Sequence, residues 1–148
     1  METFDMALGF ETESTRMEPL LLVSFQVPEE EAEAVMARLA QALVLEIGHY
    51  DRCSFQSAAG YERYRPRKGA AAGAEEDTRK RPGVVEISFQ LARNRHELAR
   101  AIDMIVEAHS YQEPVILVHQ ILASRSKGGD PGNPNRWWNK GGDWRAQS

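Results

Sequence analysis

Cysteine is nearly absent: Cys53 is the only one in 148 residues. A single thiol closes no internal disulfide, so the composition fits a reducing compartment. Long apolar runs are lacking as well. No stretch approaches the ~20 residues that a membrane helix needs. No basic start followed by an apolar run suggests a signal peptide. These absences predict a cytoplasmic protein with no membrane partner. There is no glycine-rich phosphate loop of the Walker type. Neither charge sign dominates, and a net charge of -4 gives no general pull toward nucleic acid or anionic lipid.

A chain of this length fits one domain with a real core. Charge is spread unevenly, acidic over the first nineteen residues and basic over the last two dozen. Residues 1–18 are polar and without period, which predicts a flexible leader. Leu20 to Val27 is strand-like, with Val23, Phe25 and Val27 on one face. Pro28 then opens a predicted helix, with Glu29, Glu30 and Glu31 where the helix dipole favours acids. Val35, Leu39 and Leu43 form its apolar stripe, and Gly48 is a natural stop. Asp51 to Ser57 is a candidate second strand.

Gly60 to Gly83 is polar, glycine-rich and alternately basic and acidic, and reads as a long loop. A loop of that length in a compact domain is commonly functional or disordered. Val84 to Leu91 alternates cleanly, predicting a strand with Val85, Ile87, Phe89 and Leu91 inward. Asn94 and Glu97 have the spacing of a capping box. Leu98, Ile102, Ile105 and Val106 are the buried side of a second helix, which stops near His109. Pro114 then forbids helix, and an apolar strand runs to Leu122. The tail from Ser124 is rich in Gly, Asp, Pro and Asn, and holds all three tryptophans, Trp137, Trp138 and Trp144.

Strand, helix, strand, strand, helix, strand predicts an α+β, ferredoxin-like βαββαβ sandwich over 19–123, one antiparallel sheet with both helices on one face. The other face carries Ser24, Gln26, Glu86, Ser88 and Gln90. A small sheet left wet on one side favours assembly.

Two motifs carry a family resemblance. The first is Gly48-His49-Tyr50-Asp51-Arg52-Cys53-Ser54-Phe55, followed by Gly60, Arg65-Pro66 and Gly69-Ala70. The second is His109-Ser110-Tyr111-Gln112-Glu113-Pro114 with its apolar strand. In order and spacing, over about residues 20–123, they resemble the inserted domain of the dinuclear-metal-centre hexamer family named for an NGG-interacting factor. The resemblance implies a fold akin to PII signalling and CutA proteins, which are trimers. It also implies that this chain is the insert alone, without the metal-binding halves. Ser110 stands where that motif has proline, and Gln112 where it has glutamate.

Several constellations have a bland and a sharp reading. His49, Cys53, His109 and Glu113 are ligand types for a divalent metal. Against this, a histidine ending a helix suits the dipole as imidazolium, and a lone cysteine is commonly a small buried hydrophobe. Arg63, Arg65, Arg67, Lys68, Arg79, Lys80 and Arg81 are candidate anion holders, opposed by Glu75, Glu76 and Asp77 between them. By resemblance, this 60–83 loop lies where the PII loop borders a nucleotide cleft and contacts partners. Tyr61 and Tyr64 among arginines suit single-stranded nucleic acid, a partner the overall acidity disfavours. Cys53 near His49 lacks an orienting third group, so no enzyme is predicted. Arg136, Trp137, Trp138 and Trp144 suit either a clasp on the domain or a neighbouring copy, or a motif for a protein partner.

The expectation is a non-enzymatic regulatory or scaffold module, homotrimeric, binding a small anionic ligand such as a nucleotide at subunit clefts. His49, Tyr50, His109, Tyr111, Glu113, Arg65, Arg67 and Lys68 are its candidate ligand-binding residues. The alternatives are a divalent-metal-binding protein using His49, Cys53, His109 and Glu113, or an interaction module acting through the tail.

Overall fold

The structure, a computed structural model, describes residues 1–141; Trp144 lies outside them. The elements run β1 (Phe10–Glu11), β2 (Thr15–Pro28), α1 (Ala32–Ala42), β3 (Phe55–Gln56), β4 (Gly60–Tyr64), β5 (Arg79–Leu91), α2 (Arg95–Ala108) and β6 (Ile116–Ser126). All pairings are antiparallel. β2 is central, with β6 along one edge and β5 along the other; β3 and β4 continue the sheet beyond β5.

The period of two in β5 sets the core. Val85, Ile87, Phe89 and Leu91 are all buried. Register places Phe89 opposite Val23 and Ile87 opposite Phe25, so one face doubles its apolar width, and Phe25 and Phe89 meet edge-on at 6.5 Å. Val35 and Leu39 of α1, and Ala101 and Ile105 of α2, close over that face. Each large side chain so buried contributes ~1.5–3 kcal/mol. The result is the expected ferredoxin-like α+β sandwich. Asn94 caps α2: its Oδ1 accepts from the amides of His96 (2.9 Å) and Glu97 (3.1 Å). The return half of the capping box is absent, because the Asn94 amide donates to the Ala92 carbonyl at 2.7 Å.

Several boundaries differ from the sequence reading. β2 begins at Thr15, inside the segment expected as leader, and pairs with β6 as far as Ser126, three residues past the expected domain end. Backbone pairing needs no apolar side chain, so hydropathy does not reveal it. Pro28 ends β2 rather than opening the helix; a 3₁₀ turn over Glu29–Glu31 precedes α1. The helix stops at Ala42, where Leu43 turns extended. Leu43 and Leu45 stay buried beyond the helix, Leu45 in a left-handed conformation, and Gly48 sits instead in a turn bridged between Ile47 and Tyr50, with φ +58°. Of Asp51–Ser57 only Phe55 and Gln56 pair. Val106, expected in the core, is 46% exposed. The largest difference is 60–83, which is a hairpin: β4 pairs with the start of β5, leaving 65–78 as its loop.

Candidate functional site

The site is built where α2 hands over to β6. After Ala108 the chain turns extended and the His109 ring folds inward, buried. Its Nε2 lies 2.6 Å from the Gln26 carbonyl, and its Nδ1 lies 3.1 Å from the Tyr111 amide. An amide N–H can only donate, so Nδ1 accepts and Nε2–H donates to Gln26. Both nitrogens of a neutral ring are thereby used. The expected imidazolium at the helix end is replaced by a pin between β2 and the following turn, and no lone pair remains for a metal.

The next residues are tied to distant elements. The Ser110 amide and hydroxyl donate to Glu31, at 3.2 and 2.7 Å. The Tyr111 hydroxyl donates to Glu62 of β4 at 2.9 Å, while its ring rests 4.7 Å from that of His109. Burial, then the hydrogen bond to Glu62, pushes the Tyr111 phenol up to about 12, with Arg81 opposing. Arg81 stands across the ladder from Glu62 and donates to Glu30 at 3.0 Å. Gln112 Oε1 accepts from the Ala71 amide at 2.9 Å, fastening the hairpin loop to the turn.

The hairpin is held from within. Arg79 forks onto Glu75, with Nε 2.7 Å from Oε2 and Nη2 on Oε1; this pair holds the Glu75 carboxyl below its usual range. The Glu75 amide donates to the Pro66 carbonyl at 3.1 Å. The Lys80 ammonium sits over the Tyr61 ring at 4.2 Å. Between this hairpin and the turn lies a cleft of about 720 Å³, bordered by Tyr61, Tyr64 and Tyr111 and by Arg63, Arg65 and Arg67. Among the described residues those three arginines make no ion pair. Guanidinium forks suit phosphate or carboxylate, and tyrosine rings suit a planar or apolar body.

Of the candidate ligand-binding residues, Tyr111, Glu113, Arg65 and Arg67 border the cleft, as does Arg63 of the anion holders. His109 sits behind it as the pin. Lys68 is exposed in the loop and does not border it. His49 and Tyr50 are exposed in the Ile47–Tyr50 turn, also away from the cleft lining. Cys53 is half-buried, its Sγ 3.6 Å from the Asp51 carbonyl. His49, Cys53, His109 and Glu113 do not form one site: among the described residues no three His, Cys, Asp or Glu side chains stand together as metal ligands. These residues do not fit a metal centre.

In the tail, Trp137 and Trp138 are about half-exposed, with rings 5.8 Å apart and edge-on. The Trp138 indole donates to the Pro131 carbonyl at 2.9 Å, and the Asn139 amide group donates to Pro131 and Asn133 at 2.8 Å each. Arg136 donates its amide to the Asn133 carbonyl. Sequence reasoning named Arg63 among the candidate anion holders but gave Tyr61 and Tyr64 no place in a small-ligand cleft. The available signal was the interleaving of rings and guanidiniums in Tyr-Glu-Arg-Tyr-Arg, which sets stacking beside anion-holding side chains.

No protein-family model matches this chain, and no curated protein matches it. Solved structures do. A Bacillus cereus protein related to NIF3 superposes with a TM-score of 0.60 at 25% identity, over 80% of this chain and 31% of that one. This chain therefore spans about a third of that relative. CutA1 from Ehrlichia chaffeensis, described as a divalent ion tolerance protein, gives 0.52 at 14% identity, over 76% of this chain and 85% of that one. CutA1 from a psychrotrophic Shewanella gives 0.52 at 15%, over 82% and 92%. The chain thus has a PII/CutA-like fold, like that of a domain-sized part of the NIF3-related protein. No helix among the described residues is long and apolar enough to cross a membrane.

Proposed function

We propose that this chain is a non-enzymatic, PII/CutA-like regulatory or scaffold module that binds a small anionic ligand in the cleft between the hairpin and the His109–Val115 turn, and that it works as a homotrimer. The carrying observation is the set of three arginines, Arg63, Arg65 and Arg67, that border the cleft without an ion pair among the described residues. The cleft volume of about 720 Å³ falls in the range of small-molecule sites. Three tyrosines beside three guanidiniums favour an anion with a planar body, such as a nucleotide. Assembly is supported by the helix-free sheet face, where Leu20, Leu22, Leu117 and Ile121 lie in register and Leu117 is 43% exposed. The Gln112–Ala71 bond gives ligand binding a route to the loop, and the loop is the surface a protein partner would read.

The test is calorimetry and thermal melting with ATP, ADP and tripolyphosphate at low salt. Binding is expected, weakened about tenfold or more in the Arg65→Gln, Arg67→Gln double variant. If no anion stabilises the chain at millimolar concentration, or the variant binds as well, the reading fails. A second reading, a protein-interaction element at Arg136, Trp137 and Trp138, is favoured by the half-exposure of the two rings. Truncation after Lys127 that lowers the solution mass would make the tail a clasp between copies instead.

A further inference from the structure

A second hollow, of about 410 Å³, lies at the other end of the β2–β5 ladder, bordered by the start of β2, the end of β5 and the Val44–Gly48 segment. It shares no residue with the cleft above. Its wall brings together charges of both signs. Arg16 and Arg125 stand directly opposite each other in the β2–β6 register, an arrangement that destabilises a sheet unless something neutralises it. Arg16 reaches Glu18 at 3.1 Å, whereas among the described residues Arg125 finds only the Ser124 carbonyl at 2.9 Å. Glu46 and Glu97 also border the hollow and make no ion pair among the described residues. Glu97 is left so because the capping box is only half made.

Two further features point to a ligand. Gln90, in the same wall, has its Oε1 buried without a hydrogen-bond partner. Such orphans are rare and call for an explanation. Leu45 holds φ at +53°, a conformation uncommon for a residue with a side chain and one concentrated at ligand sites. Leu20, on the same face of β2 as Arg16, and Val44, 58% exposed, also border the hollow, so its wall has an apolar part.

We propose that this hollow binds a free α-amino acid with an aliphatic side chain. Its carboxylate lies between Arg16 and Arg125, relieving their repulsion. Its ammonium faces Glu46 and Glu97, and its side chain lies against Leu20 and Val44. Neither charge alone accounts for a wall that supplies both signs. The inference goes beyond the anion cleft and stands or falls separately from it.

The test uses the full chain and three probes: L-leucine, 4-methylpentanoate with the carboxylate alone, and 3-methylbutylamine with the ammonium alone. Calorimetry and ligand-observed NMR are expected to show leucine binding at millimolar concentration or below, with each single-charge analogue weaker by about tenfold or more. Arg125→Gln and Glu46→Gln should each weaken leucine by a similar factor. Glu46 is exposed, so its variant keeps the test open if the arginine variant misfolds. Arg65→Gln should leave leucine binding unchanged. No leucine binding, binding indifferent to both wall variants, or 4-methylpentanoate binding as well as leucine overturns the proposal. A chain that binds tripolyphosphate but not leucine would sink this site and leave the cleft standing.

Discussion

Tyr111 has its hydroxyl committed to Glu62 and its ring set against His109, and this makes it the group whose ionisation reports on the closed turn. An unfolded phenol titrates near pH 10; here burial and Glu62 raise it to about 12. A folded pKa above the unfolded one means stability that is whole below pH ~10 and is lost as pH rises through the folded value. Urea midpoints should therefore fall between about pH 10 and pH 12 for this reason, and tyrosinate absorbance should show a late phase. Tyr111→Phe should remove that phase and flatten its share of the alkaline loss; an unchanged titration curve would refute the assignment. The neighbouring residues show what sequence could reveal here. Ser110 and Gln112 were visible as departures from the motif the turn resembles. Their work was not, because their partners Glu31 and Ala71 lie 79 and 41 residues away. A proline at 110 could donate neither of the two bonds that Glu31 accepts.

Elements whose order comes from burial were legible, and those whose order comes from pairing were not. The alternation of Val85 to Leu91 fixed a strand, its inward face and most of the core, because period two can serve only a half-buried strand. The Tyr61–Arg81 stretch reads as solvated since its charges alternate. It folds as a hairpin because Glu62 faces Arg81 across the ladder and Lys80 covers Tyr61. The cleft therefore could not be drawn from sequence, although Arg63, Arg65, Arg67 and Glu113 of its charged border were named. The N-terminal segment shows the same effect. Gly9 sits at φ +75°, and a Cβ there would run into the Met17 carbonyl, so only glycine lets β1 lie beside β2. Gly9→Ala should open this short hairpin at a local cost of about 1 kcal/mol or more. Hydrogen exchange should quicken over residues 8–17 while the amides of β5 keep their protection. Equal exchange in both proteins would mean that the turn is not what holds the segment.

At the scale of the molecule, one face of the sheet is closed by helices and the other is not. Leu20, Leu22, Leu117 and Ile121 occupy the open face in register with Ser24 and His119, and Phe55 joins it opposite Ser88, 70% exposed. Apolar area left in water forgoes ~25 cal/mol per Å², and among the described residues β6 is paired along one side only. An open apolar face beside an unpaired edge is a template for association. A closed ring of three copies would satisfy both, since its contacts join two different surfaces, the open face of one copy and the free β6 edge of the next. Leu117→Glu places a carboxylate in the middle of that face without touching the helix-side core. Light scattering should give the unmodified chain a mass that is a multiple of 16.7 kDa and the variant a single-copy mass, with the same circular dichroism. A single-copy mass for the unmodified chain at micromolar concentration would remove the assembly and, with it, any ligand site shared between subunits, while leaving the fold and the arginine-bordered cleft within one chain intact.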